Sequence, residues 1–226
     1  MKNEPKPTSE LNVVVPASED FSALIAMEDR AEALKQLADK VARCTACLEL
    51  VSNRTQTVLG TGNPYASLMF VGEAPGADED RQGVPFVGRA GKLLTDMIEK
   101  GMKISRENET YICNILRCRP PGNRVPLPTE AAYCRGFLDA QIAIVRPRFI
   151  CCLGASAAQF LLNTTTTISR MRLQTFDYRG ISVVCTYHPA YLLRNPPQKA
   201  ATWEDLQFLM RLMEQNAEQN AEQNAE

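Results

Sequence analysis

The chain predicts an α/β fold in which a mostly parallel sheet is covered by helices on both faces. Two observations predict it. Strand-length apolar runs alternate with segments of helical period. The glycine-, proline- and histidine-bearing segments fall just after strands, where ligands sit in open sheets of this kind.

Leu34, Leu37, Ala38 and Val41 recur at i, i+3, i+4 and i+7, the apolar stripe of an amphipathic helix that runs directly into Cys44-Thr-Ala-Cys47. Leu68 to Val71 reads as a buried strand ending at Gly72, and Leu93, Leu94, Met97 and Ile98 mark the helix after it. Thr110 to Leu116 is a second strand. The Pro- and Gly-rich loop Arg119 to Pro128 leads to Thr129, the expected N-cap of a helix carrying Phe137, Leu138, Ile142 and Val145. Phe149 to Leu153 is a third strand, ended by Gly154 before the helical stretch Ala155 to Leu162. Gln174 to Tyr178 and Ile181 to Tyr187 flank Arg179-Gly180 as a hairpin, and Lys199 to Met213 closes with a helix. From the first strand onward the order is β-α-β-α-β-α-β-β-α.

Of the 226 residues, 45% are apolar and 23% charged, which excludes collagen-like, coiled-coil and wholly disordered chains. Residues 1–25 are expected as a flexible leader, 26–213 as one domain, and 214–226 as a low-complexity tail. That tail repeats Glu-Gln-Asn-Ala from Glu214 and stacks Glu on Glu at i, i+4, which disfavours a free helix. A net charge of −1 excludes a protein that is basic overall. Arg117, Arg119, Arg124, Arg146 and Arg148 are then either a local phosphate-facing patch or solvated surface. No basic segment leads into an apolar one at the N-terminus, and no apolar run approaches the ~20 residues of a membrane span, so a cytoplasmic protein is expected.

Eight cysteines in a reducing compartment point to ligation rather than disulfides. Cys44 and Cys47 form C-x2-C, and the loop-proximal Cys118 and Cys134 can complete a four-thiolate set for zinc or for an iron–sulfur cluster. Cys113, Cys151, Cys152 and Cys185 fall in strands and read as small core residues.

Three segments carry candidate chemistry. Gly72-Glu73-Ala74-Pro75-Gly76 is a tight turn whose glycines let backbone N–H groups approach a ligand while Glu73 supplies a carboxylate. Asp78, Glu79 and Asp80 follow it, then Gly83-Val-Pro-Phe86-Val-Gly88. Phe86 either stacks on a planar ligand such as a base or plugs the core. Asn114, at a strand end, either reads a nucleobase edge with its mixed donor and acceptor or is an ordinary turn residue. His188, the only histidine, is either structural or the chain's one imidazole catalyst.

Taken together, Gly72-Glu-Ala-Pro-Gly76, Gly83-Val-Pro-Phe-Val-Gly88, Asn114 with Cys118-Arg-Pro-Pro-Gly-Asn-Arg124, and His188-Pro-Ala-Tyr-Leu-Leu-Arg-Asn-Pro196 closely resemble the family 4 uracil-DNA glycosylases. The likeness runs from about Leu34 to Leu209. It implies a three-layer α/β/α fold with a 4Fe-4S cluster on Cys44, Cys47, Cys118 and Cys134. It also implies hydrolysis of the N-glycosidic bond of a flipped uracil in single- or double-stranded DNA by a monomer, without strand cleavage.

By the same resemblance the pocket comprises Gly72, Glu73, Ala74, Gly76, Glu79, Phe86, Asn114 and His188. Phe86 stacks on the base, Asn114 reads its edge, and His188 stabilises charge on the O2 side. Glu73 stands nearest to where a related family carries a water-activating Asp, at Ala74, and Glu79 is expected near C5 of the base. Leu192, Leu193 and Arg194 are expected to enter the space left by the flipped nucleotide. A non-catalytic DNA-binding cluster protein and a cysteine-bound electron carrier are the competing readings.

Overall fold

The computed structural model describes residues 19–223. Its six strands are β1 (Gly60–Gly62), β2 (Leu68–Gly72), β3 (Thr110–Asn114), β4 (Phe149–Leu153), β5 (Thr175–Tyr178) and β6 (Ile181–Thr186), in the spatial order β1-β3-β2-β4-β6-β5. The four central strands are parallel, and the two edge strands run antiparallel to their neighbours. Every residue of β2, β3 and β4 is buried, the pattern of strands covered on both faces.

The helices are α1 (Ser22–Ile25), α2 (Arg30–Ala42), α3 (Leu48–Asn53), α4 (Ala77–Gln82), α5 (Arg89–Asp96), α6 (Pro128–Val145), α7 (Ala155–Leu162), α8 (Ile168–Met171), α9 (Pro189–Arg194) and α10 (Gln198–Gln223). Strand side chains alternate between two cores because successive residues point to opposite faces. Met69, Val71, Cys113, Ile150, Cys152 and Cys185 face α2 and α6, packing with Leu34, Leu37, Phe137 and Leu138. Leu68, Phe70, Ile112, Cys151 and Val184 face Leu94 of α5, the π-helical turn Met97–Met102 that continues it, and Leu206 and Leu209 of α10. The four strand cysteines are fully buried core residues.

Register decides where the loops emerge. Gly72 pairs with Asn114 across β2 and β3, and Leu153 pairs with Thr186 across β4 and β6. The segments that leave β2, β3, β4 and β6 therefore gather at one edge of the sheet. Between β5 and β6, Arg179 and Gly180 both take positive φ (54° and 82°), the geometry of a tight two-residue hairpin turn.

Several boundaries differ from the sequence expectation. Phe21 and Leu24 are buried, with Phe21 5.5 Å from Phe137 ring to ring, so the domain begins before residue 26. Residues 1–18, including Leu11 to Val15, lie outside the described residues. The N-cap of α6 is Leu127 rather than Thr129: Pro128 occupies the first turn and the Glu130 carboxylate accepts from the Leu127 N–H at 2.8 Å. α10 continues through the repeat to Gln223. Glu, Gln and Ala are good helix formers, and extending an anchored helix needs no new nucleus, which outweighs like-charge pairs of ~0.2–0.5 kcal/mol each.

Phe21→Ala is expected to destabilise the domain by about 3 kcal/mol, measured by denaturant unfolding. A change within ~0.5 kcal/mol would return residues 19–25 to the leader.

Candidate active site

The gathered loops enclose a cleft of about 470 Å³, lined by Glu73, Phe86, Asn114, His188, Tyr191 and Arg194 among others. At its floor Gly72 has no room for a side chain. A Cβ there would fall 2.5 Å from Phe86 Cζ and closer still to Asn114 Oδ1. Beyond Gly72 the ladder continues for two bonds, from the Ile115 N–H to the Gly72 carbonyl and from the Leu116 N–H to the Glu73 carbonyl, fixing the turn that carries Glu73. Glu73 Oε2 accepts from the Ser156 hydroxyl at the start of α7.

Phe86 is held in the left-handed region at φ 55°, where a bulky residue is strained. Arg106 maintains it, donating from Nη2 to the carbonyls of Pro85 (3.0 Å) and Phe86 (2.9 Å) and from Nη1 to Thr95 Oγ1 (2.6 Å). Gly91 is required because any Cβ would collide with the Phe86 carbonyl. Glu79 joins the two loops: Oε2 accepts from the Gly76 N–H at 3.1 Å, and Oε1 accepts from the N–H groups of Val87 and Gly88 at 2.9 Å each.

His188 caps α9, its Nδ1 accepting the Ala190 N–H at 3.1 Å, which leaves the proton of the neutral ring on Nε2. Burial pushes its pKa down to about 4, Arg194 adds to the fall and Glu79 opposes it. Its ring lies 5.7 Å from that of Phe86, tilted by 33°. Asn114 is 1% exposed, and its Oδ1 has no hydrogen-bond partner among the described residues. A buried acceptor in that state is costly unless a ligand donates to it. An aromatic wall, an unpaired acceptor and an imidazole fixed as a donor together suit a flat heterocycle that offers both N–H and C=O groups.

A second centre lies behind the first. Cys44, Cys47, Cys118 and Cys134 line one small cavity between α2, α3 and α6. Burial, and after it the other three cysteines, push the Cys47 thiol up to about 12. Burial likewise lifts Cys134 to about 11 and raises Cys118. Arg54 donates from Nη1 to Cys118 Sγ at 3.0 Å. Among the described residues, no three His, Cys, Asp or Glu side chains are grouped as a single metal ion requires.

The sequence profile of the Uracil DNA glycosylase superfamily matches residues 59–207. The type-4 uracil-DNA glycosylase of Thermotoga maritima is 46% identical over 172 residues, covering 75% of this chain and 88% of the relative. That of Archaeoglobus fulgidus is 42% identical over 174 residues (73% and 85%), and that of Sulfurisphaera tokodaii 38% over 189 (80% and 85%). The chain belongs to the type-4 uracil-DNA glycosylases.

In this family member the fold gives the remaining residues of interest the following settings. Glu79 lines the cleft, and both its oxygens accept from backbone N–H groups, so it also ties the two loops together at the pocket wall. Leu192 is 1% exposed inside α9 and cannot enter DNA without unpacking; Leu193 is half-buried and Arg194 is exposed at the cleft mouth. Of the five arginines, Arg124 lines the cleft. Arg117 is buried, Arg124 is bound by Glu49 and Glu130, and Arg146 and Arg148 lie at the opposite ends of the strands, just before β4. Arg106 and Ser156 were invisible in the sequence because neither sits in a motif and both reach the site through the fold.

His188 is the only histidine, so one imidazole signal reports its titration. It is expected to stay neutral on NMR titration from pH 8 to 5 and to protonate near pH 4; a midpoint near 6.5 would remove it from its buried setting. The unfolded chain takes up this proton near pH 6.5. This group's contribution to stability is therefore complete above that pH and is lost as the pH falls towards 4.

Proposed function

We propose that the protein is a monofunctional uracil-DNA glycosylase of base excision repair, acting as a monomer on uracil-containing DNA and leaving an abasic site. The observation that carries this reading is the buried, unpaired Asn114 Oδ1 beside Phe86 and a neutral His188. Uracil presents an N–H between two carbonyl oxygens, the complement of that set, and it must leave the base stack to reach it.

Phe86 stacks on the flipped ring, Asn114 accepts the base N3–H at Oδ1, and its amide N–H donates to O4. As the C1′–N1 bond breaks, its electron pair moves to N1 and spreads to O2. The His188 Nε2–H and the N–H groups of the Gly72–Gly76 turn meet that charge more strongly in the transition state than in the ground state. A neutral imidazole donates here without competing for a proton. Water attacks the oxocarbenium-like C1′ and passes its proton to Glu73, whose carboxylate is oriented by Ser156. Leu193 and Arg194 face the DNA. No lysine lines the cleft to supply an amine for strand cleavage among the described residues.

Cys44, Cys47, Cys118 and Cys134 would hold a 4Fe-4S cluster, a donor set that four thiols around one cavity fit. When bound, the cluster supplies a rigid cross-link between the C-x2-C segment, the loop after β3 and α6, and it takes no part in the hydrolysis.

A labelled oligonucleotide carrying one uracil is expected to be cut only after alkali treatment, with a thymine control left intact. Intact uracil DNA after incubation with iron-loaded protein would overturn the proposal. Asn114→Asp places a negative charge beside the departing base and is expected to lower kcat/KM about 10²-fold or more, read in single-turnover assays. Unchanged kinetics would take Asn114 out of the pocket.

A further inference from the structure

Arg117 is among the largest side chains fully buried in the protein, at 1% exposure. An arginine does not shed its proton in a protein, so the charge is present wherever the side chain is put. Its Nη1 donates to the carbonyls of Asn114 (2.6 Å) and Leu59 (3.1 Å). Its Nε and Nη2 have no hydrogen-bond partner among the described residues, and no carboxylate pairs with it. A buried cation left so incompletely matched is strongly unfavourable unless a negative group lies beside it.

The side chain borders the cavity of the four cysteines. Glu130, a carboxylate near Cys47, is already bound by Arg124 at 2.6 Å. Four thiolates around a doubly positive iron–sulfur core leave a net charge of about −2, and net charge and neighbouring donors set the behaviour of such clusters. Arg54 and Arg117 both border this cavity: Arg54 donates to Cys118 Sγ and to two carbonyls, while Arg117 is fully buried, has no carboxylate partner among the described residues and also faces the Cys113 thiol of β3.

We propose that Arg117 is the buried counter-charge of the four-cysteine site, a positioning residue that offsets the negative charge of the group those cysteines hold and tunes it. This rests on the reading of Cys44, Cys47, Cys118 and Cys134 as cluster ligands.

The test uses full-length, anaerobically purified, iron-loaded protein and reads three quantities: iron per chain, the rate of iron loss to a chelator, and the midpoint potential of the cluster couple. Arg117→Met is expected to lose iron about tenfold faster or more, the effect of removing one charge-assisted contact. Its midpoint should move to a more negative potential, because a nearby positive charge that favoured the added electron is gone. Arg117→Lys keeps the charge and should stay near the wild type in both. Arg117→Gln keeps a donor for the Asn114 carbonyl without the charge and should follow Arg117→Met, so one variant that fails to fold does not decide the matter. Wild-type loss rate and midpoint in both neutral variants would overturn the proposal. Equal defects in the Lys variant would also do so, by making shape rather than charge the requirement. A wild-type protein without iron would sink the ligand reading first, and this inference with it, so the two failures are told apart.

Discussion

The site depends on a space too small for a methyl group. Gly72 stands opposite Asn114 in the β2–β3 register, and the end of the Phe86 ring occupies the position its side chain would take. That close approach lets a carboxamide from one strand and an aromatic ring from a distant loop line the same narrow slot. The other supports secure the arrangement from outside. Arg106 grips the carbonyls around Phe86, Glu79 ties that loop to the Gly72–Gly76 turn, and the α9 cap fixes the imidazole opposite. An alanine at Gly72 would push on Phe86 and Asn114 together, and neither has anywhere to go in a packed core.

Electrostatic preparation follows from the same packing. Burial disfavours the charged imidazole, so His188 reaches neutral pH as a donor with no positive charge to neutralise. Burial also strips solvent from Asn114 Oδ1, and the folded protein carries the cost of an unsatisfied acceptor until a ligand meets it. Both groups are set before the base arrives. In the proposed reaction little reorganisation is then needed as charge develops on a departing base, where pre-aimed dipoles in a dry site are most effective. The strain in Phe86 belongs to the same economy: a left-handed φ of order 1–3 kcal/mol is tolerated because several hydrogen bonds over-determine it.

What could be read in the sequence was whatever is local and repeated. β2 and β4 stand out as continuous apolar runs, α2 as a stripe at 3.6-residue period, and the hairpin as two strands about Arg179-Gly180. The site motifs fell at strand ends because that is where a parallel sheet releases its loops. The missing elements were short ones. α3, α4 and α9 have six residues each, too few to show a period. β1 is Gly-Thr-Gly, without an apolar side chain to signal it. Roles that depend on distant partners are illegible: nothing local shows that the Glu79 carboxylate, at the cleft wall, ties Gly76 to Val87 and Gly88. Leu192 likewise looks like a wedge until its burial is known.

The cysteine cavity and the cleft are joined by a single side chain. Asn114 and Cys118 lie four residues apart at the end of β3, with Arg117 between them in sequence and in space. Arg117 borders the thiol cavity and its guanidinium donates to the Asn114 carbonyl, which links the two places through one side chain. A hydrophobic residue at this position would fill the volume at lower desolvation cost. A buried arginine there is favoured when negative charge is held next to it, and its bond to the Asn114 carbonyl secures the strand end that pairs with Gly72.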